Sequence, residues 1–315
     1  MSTWAGISTA LSSLRTQRIA IDVAGQNIAN VNTPGYARQR VDMTAGTGVN
    51  VSAISRLHNG ILGDRSRTEG AQMQNLAVAS SVLNEVEEVF PEPTSYGLQT
   101  KLDALWSSFS DVAREPADSG ARVQVLSQAN AVTDWLNNSA TELGEITANH
   151  SASLSNLVTT VNGYAKELSE LNVAVSQSVK NTQAANALMD RRGYVADQLA
   201  QLVGGSYLTN DANQLSVTLG GGTLVGPSTY ETLQVASSSG VTSLQWAGDS
   251  STATVTTGSA NGYLTAINTT VDSWTTTLNA VASAITTQVN AVQTTGFDRD
   301  GNAGNNLFTG TTAAT

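Results

Sequence analysis

The stretch Asn27-Ile28-Ala29-Asn30-Val31-Asn32-Thr33-Pro34-Gly35-Tyr36 stands directly behind an apolar-periodic N-terminal segment. Within that segment Ile7, Leu14, Ile21 and Ile28 recur every seven residues, with Ala10, Ala24 and Val31 in a second row beside them. Two such rows make a narrow helix seam suited to packing against other helices, not the broad face that a globular core requires. Gln17, Arg18 and Gly25 dilute the seam, and a short helix of this kind is marginal in isolation. Pro34 removes a backbone donor and pushes Thr33 out of the helical region, while Gly35 supplies a positive-φ turn. Two readings follow: a helix ordered by neighbouring subunits, or one docked loosely on its own domain. Periodicity alone leaves both open.

At 315 residues the chain has room for two domains, or for one body with an inserted module. Charged residues make up only 13%, about half the globular share of roughly 25%, so Ser, Thr, Asn and Gln must cover the solvated faces. Lys and Arg number 15 against 25 Asp and Glu, a formal net charge of -10. That balance argues against nonspecific nucleic-acid binding, which draws its affinity from phosphate neutralisation. The chain has no cysteine, which excludes disulfides, thiolate metal sites and cysteine nucleophiles. Its sequence shows no conventional secretory signal, and no uninterrupted apolar stretch of about 18 residues for a membrane span.

Further along, Val49-Asn50-Val51-Ser52-Ala53-Ile54 reads as one short extended segment. A helix is expected from near Ile61 to Phe90, stopped by Pro91 and Pro93. Helical spacing resumes from Tyr96 to Ala113, with Leu98, Leu102, Leu105, Trp106 and Phe109 on one side. The longest element carries a rod seam of Leu154, Leu157, Val161, Tyr164, Leu168, Leu171 and Val175, extended backwards by His150, Ile146, Leu143, Leu136 and Val132. A helix from about residue 121 to 177 would be on the order of 85 Å long, and such length reads as coiled-coil-like packing. A break near Gly144 or Asn149 would divide it into two stacked helices. Ala184 to Leu202 forms a further helix ending at Gly204-Gly205. The period then changes to alternation, with Leu215, Val217 and Leu219 on one strand face and turns at Asn210-Asp211-Ala212-Asn213 and Gly220-Gly221-Gly222. Links this short favour antiparallel hairpins. Helical spacing returns at Gly262 and runs through Leu278 and Val289 to Gly296. The expected fold class is therefore mainly α: an elongated antiparallel helical bundle with long coiled-coil-like helices and a small inserted antiparallel β module.

No catalytic constellation emerges. His58 and His150 share no motif, and His150 falls on the apolar seam, a core or interface position. Gly220-Gly221-Gly222 lacks the lysine and helix entry of a phosphate loop. Asp298-Arg299-Asp300-Gly301-Asn302 resembles the opening of a calcium loop, but alanine at 303 and threonine at 309 break that pattern, so a β-turn or Asx turn is the better reading.

The run Gly25 to Gln39 closely resembles the N-terminal signature of the bacterial flagellar axial proteins, the rod, hook and hook-associated subunits. Its continuation Arg38-Gln39-Arg40-Val41 is most similar to the hook-associated protein 1 family, which joins hook to filament. Gly97-Leu98, the turn Arg114-Glu115-Pro116-Ala117-Asp118 and the loop from Gly296 to Phe308 resemble the same family. So does Ala185-Asn186-Ala187-Leu188-Met189-Asp190-Arg191-Arg192, although Ala187 and Gly193 stand where that family has acids. The resemblance implies a non-enzymatic, cofactor-free structural subunit, exported by the flagellar secretion system to the hook–filament junction outside the cell. The N-terminal helix would assemble through Ile7, Leu11, Leu14, Ile21, Ile28 and Val31. Implied partners are copies of itself, the hook protein, a neighbouring hook-associated protein and an export chaperone acting on a region beyond this chain. No nucleic acid and no membrane insertion are implied. A hook or distal-rod subunit shares the first motif and stands as the alternative; a flagellum-associated hydrolase is a further one.

The division expected is residues 1–37 for the axial helix and turn, 38–205 for the long-helix rod body, 206–258 for the β module and 259–315 for the returning helix and loop. The chain closes on Gly310-Thr311-Thr312-Ala313-Ala314-Thr315 without the C-terminal helix that the resemblance implies. It is accordingly read as a truncated form or fragment of a longer subunit, with residues 1–37 disordered for want of their seam partner.

Overall fold

A computed structural model describes residues 3–220, 222–298 and 300–314. Helix α1 (Thr3–Ala29) leads into the hairpin β1 (Gln39–Gly46) and β2 (Gly48–Arg56). Four helices follow: α2 (Gly60–Val89), α3 (Leu98–Arg114), α4 (Ser119–Gln177) and α5 (Gln183–Val203). Strands β3 (Ser206–Thr209), β4 (Leu215–Leu219), β5 (Gly222–Val225), β6 (Leu233–Ser238) and β7 (Val241–Trp246) precede α6 (Gly258–Thr265). A π-helical segment, Ala266–Val271, joins α6 to α7 (Asp272–Gln293). The fold is a mainly helical bundle with long joined helices and small antiparallel β elements, as the periodicities indicate. Helix α4 runs unbroken for 59 residues, so neither Gly144 nor Asn149 interrupts it.

The chain forms two compact units that interleave in sequence: Met1–Leu76, Ser155–Ser238 and Ser243–Gly262 make the first, and Ala77–Leu154, Ser239–Thr242 and Tyr263–Thr315 the second. In the second, Val82, Val86, Leu105, Val132, Leu136, Leu143, Val271 and Leu278 share one apolar core. The helix directions follow from side-chain pairs. Glu85 meets His150 while Phe90 meets Trp135, with ring centroids 6.0 Å apart, so α2 and α4 are antiparallel. The His150 ring lies 5.6 Å from that of Tyr263 in α6, whereas Leu136 shares a cavity lining with Ala282 in α7, so the run from α6 through α7 is antiparallel to α4. His150 is buried, with Nε2 2.8 Å from Glu85 Oε2.

In the first unit the C-terminal part of α4 packs with α5 and the sheet β3–β4–β5. Leu157, Val161, Leu168 and Val175 are buried, Tyr164 and Leu171 half-buried, and Leu154 is fully buried at the end of the second unit. Residues 157–175 belong to the unit that also holds residues 60–76 of α2, α5 and most of the β elements. An apolar row records that it will be covered but not whether a helix or a sheet covers it. The alternating stretch likewise divides into two sheets, β3–β4–β5 and β6–β7. Leu215, Val217 and Leu219 do share one buried face, and β6–β7 turns through Ser239 and Gly240 at φ 51° and 83°, the conformation two-residue hairpins favour. Gly221 of the expected glycine turn lies outside the described residues.

Helix asparagines tie the irregular and strand segments to the helices. Asn172 Nδ2 donates to Leu215 O at 2.7 Å while Leu215 N donates to Asn172 Oδ1 at 2.9 Å. Asn162 does the same to Leu233, Asn268 to Thr242 and Asn27 to Gln39, with every distance between 2.7 and 2.9 Å. Asn290 takes the N–H groups of Leu307 and Phe308 and donates to Phe308 O. Replacing Asn172 by Leu should strand the N–H and C=O of Leu215 at a fully buried position, each orphan costing roughly 1–3 kcal/mol. A fall in the urea midpoint well beyond that of an exposed Asn→Leu control is the expected result. Leu168→Ala should cost on the order of 2–4 kcal/mol in the same assay, whereas Leu11→Ala, at a site 47% exposed, should stay within about 0.5 kcal/mol.

Candidate assembly interface at the N-terminal helix

Helix α1 is amphipathic in the inverted sense. Its inward face carries hydroxyls: Ser12 Oγ and Thr16 Oγ1 donate to Val49 O at 3.0 and 2.7 Å, and Thr16 and Val23 are buried. Gly48, at φ +92°, allows this approach, because a Cβ there would sit 2.7 Å from Thr9 O. The apolar seam faces the other way. Ile7, Leu11, Leu14, Ile21, Ile28 and Val31 are 47% to 76% exposed, and Trp4 is 81% exposed. The sequence leaves residues 1–37 without an intrachain support; the structure supplies one in β1–β2, which the sequence shows only as a single extended segment at 49–54. Thr, Gly and Ser on both strands hide the alternation that marks a hairpin.

At the end of α1 the chain turns onto α5. Asn27 Oδ1 accepts from Gln39 N at 2.9 Å and from Tyr36 Oη at 2.8 Å, closing the Asn-Thr-Pro-Gly segment into a loop. Gly35, at φ +80°, lies so close to α5 that a Cβ would meet Tyr194 Cβ at 2.7 Å. Ala37 N donates to Asp190 Oδ1 at 3.2 Å, Arg56 Nε donates to the same oxygen at 2.5 Å, and Asn186 Nδ2 donates to Ile54 O at 2.7 Å. Asn186 and Asp190, four residues apart on one face of α5, thus hold the turn and the hairpin together. Arg192 points elsewhere, to Asn213 Oδ1 at 3.0 Å; burial, with Arg56 and Arg67 nearby, pushes its guanidinium down to about 10. Ala187, where an acid is expected, is exposed, and Gly193 leaves ordinary contact distance to Arg56. Arg56 escapes sequence reading because nothing in its local pattern marks a partner 134 residues away.

Burial raises the Asp190 carboxyl above its ordinary value, and the Arg56 hydrogen bond and charge and the Ala37 N–H offset only part of this. The pair is therefore a positioning contact more than a source of net stability. A carboxylate raised on folding loses stability as pH rises through the range between its unfolded and folded pKa. Arg56→Ala, which leaves a buried charge uncompensated, should cost on the order of 3–5 kcal/mol near neutral pH. That loss should shrink on acidification as Asp190 takes up a proton, read as converging urea midpoints of variant and parent.

The other chemical candidates resolve structurally. Asp298 Oδ1 accepts from Asp300 N and Asn302 N at 2.8 Å each, an Asx turn, and these bonds, that from the Asn302 side chain foremost, hold its carboxyl below the ordinary value. Arg299 lies outside the described residues. Burial and the charges of Arg56 and Arg67 lower His58, which belongs to the first unit while His150 belongs to the second. Among the described residues no group of three or more His, Cys, Asp or Glu could hold a metal ion, and no helix is long and apolar enough to cross a membrane.

A family model described as flagella basal body rod protein matches residues 7–36, which carry the exposed helix seam and the Asn-Thr-Pro-Gly turn. A second model, described as flagellar hook-associated protein FlgK helical domain, matches residues 83–308, more than two thirds of the chain, and the chain belongs to that family. It is 27% identical over 220 residues to flagellar hook-associated protein 1 of Bacillus subtilis, covering 64% of this chain and 43% of that protein. Its identity to the protein of the same name from Escherichia coli is 25% over 247 residues, covering 74% of this chain and 45% of the relative. The chain thus spans under half the length of the curated relatives it matches. The solved flagellar hook junction protein FlgK of Burkholderia pseudomallei shares the fold at a TM-score of 0.68 and 23% identity, covering 78% of this chain and 46% of that one.

Proposed function

We propose that this chain belongs to a structural, non-catalytic subunit that joins the flagellar hook to its filament outside the cell. The subunit reaches that position through the flagellar secretion system and assembles through its terminal helix. The observation that carries this reading is the inverted amphipathicity of α1. Six large apolar side chains at coiled-coil spacing lie in solvent, while the opposite face is fixed to the hairpin by hydroxyl and amide bonds. An apolar row of that kind is the signature of a helix awaiting other helices. Family membership supplies the context, and the names of the relatives supply the hook and its junction.

The partners proposed are other copies of the chain, the hook protein and the adjoining hook-associated protein, with an export chaperone acting on a region beyond residue 315. The division into an axial segment, residues 1–37, and a body outside it is proposed with them. The lock of Asn186 and Asp190 on the turn gives the axial helix a fixed departure point from that body. Deleting the gene should leave hooks formed without filaments and release flagellin into the medium, seen by electron microscopy and by immunoblot of the supernatant. Restoring it with Ile21→Asp, at a site 70% exposed, should give a protein that folds and is exported but fails to support filaments. Filament growth in the deletion strain would refute the role.

A further inference from the structure

Asparagine followed by glycine is the pair most prone to lose a side-chain amide, because a residue without a Cβ lets its backbone nitrogen reach the asparagine side-chain carbonyl. The chain has three such pairs: Asn59-Gly60, Asn162-Gly163 and Asn261-Gly262. The fold protects two of them. Gly163 lies inside α4 and Gly262 inside α6, where backbone N–H groups belong to the helical ladder. Their asparagine amides are held as well. Asn162 Nδ2 donates to Leu233 O at 2.9 Å and its Oδ1 accepts from Leu233 N at 2.8 Å, while Asn261 Nδ2 donates to Asn75 Oδ1 at 3.1 Å. Asn59 is placed differently. It is exposed in the irregular link between β2 and α2, and Gly60 opens the helix, so the Gly60 N–H is among those without an intrahelical acceptor. Asn59 Oδ1 accepts from Leu62 N at 3.3 Å, a single long bond, and its Nδ2 has no acceptor among the described residues. Beyond its chain neighbours and the backbone of its own helix, nothing lies within 4 Å of the place a Cβ would take on Gly60.

We infer that Asn59 is the site at which the folded protein deamidates, with solvent water as the co-reactant. The Gly60 nitrogen gives its proton to hydroxide and attacks Asn59 Cγ. The new C–N bond closes a five-membered imide, and Nδ2 takes a proton from water and leaves as ammonia. Water then adds to one of the two imide carbonyls. Breaking the bond from nitrogen to the former side-chain carbon restores the main chain and leaves aspartate. Breaking the other bond routes the main chain through the side chain as isoaspartate. The sum is amide plus water giving carboxylate plus ammonium, with nothing oxidised or reduced. Both products place a new negative charge where α2 begins, a sign that helix N-termini favour. Isoaspartate also adds a carbon to the main chain between α2 and the hairpin on which α1 is docked. The site is thus a slow, one-way change of charge and chain length at one defined link.

The test holds the intact protein folded in warm, mildly alkaline buffer made with heavy-oxygen water, beside a sample unfolded in urea. Trypsin cuts after Arg56 and Arg65, which releases Asn59-Gly60 in the peptide Leu57–Arg65, apart from the other two pairs. In the folded sample, mass spectrometry should show amide loss with uptake of one heavy oxygen accumulating in that peptide, while Asn162 and Asn261 stay at their starting level. In urea all three pairs should react. Equal rates at the three pairs in the folded protein, or a rate at Asn59 no faster than at the other two, overturns the inference. Gly60→Ala, at a position with open space around it, should keep the parent melting temperature and lower the Asn59 rate to that of Asn162. An unchanged rate in that folded variant also overturns it, because a Cβ at residue 60 must slow attack by that nitrogen.

Discussion

An α-helix has no spare backbone groups with which to meet a strand edge, because its own N–H and C=O groups are consumed within the helix. Strand ends and loops laid against helices would therefore bury orphan donors and acceptors unless side chains took them up. Asparagine meets this need with one residue, since its amide carries a donor and an acceptor at the spacing of a peptide group. The tie of Asn172 to Leu215 serves β4, that of Asn162 to Leu233 serves β6, that of Asn268 to Thr242 serves the start of β7, and that of Asn290 serves the loop after α7. Without them the β elements would rest on apolar contact alone, which does not fix register. The π-helical segment fits this pattern, for Asn268 lies within it and meets both polar groups of Thr242.

Asn27 extends the same device to the N-terminal helix, and there it acquires a consequence. Because amides and hydroxyls secure the inner face of α1, its large apolar side chains are not needed to hold it in place. An ordinary surface helix spends its apolar stripe on its own core. Here that stripe remains exposed, on the face opposite the one that docks to the hairpin.

The helical part of the fold is legible because buried rows repeat at three and four residues regardless of what covers them. Val132, Leu143, Leu154, Val161 and Leu168 lie fully buried along one helix, as their spacing indicates. What covers them is not legible, since an apolar row is the same whether a helix or a sheet lies over it. The β1–β2 hairpin is hidden for a related reason: its inner contacts are hydroxyls and backbone, so no apolar alternation announces it. The exposed apolar row of α1 is legible as a heptad repeat, and Asn27, Gly35 and Tyr36 stand within the most informative stretch. Their partners Asp190 and Asn186 are visible only as family-like residues of α5. The Arg56 and Gln39 contacts depend on chain segments brought together from far apart, and no local signal marks them. The clamps are the least legible feature, since a mid-helix asparagine reads as a weak helix former.

The clamps are also uncharged. Ion pairs weaken as dissolved salt screens them, and contacts to titratable groups weaken as protons come and go. An amide paired with a peptide group has neither dependence. Charged residues are only 13% of the chain, and among the described residues most long-range polar ties are made by neutral side chains, so these ties keep their strength as the medium changes. The amide ties would hold alike in fresh water, in brine and in mildly acid surroundings.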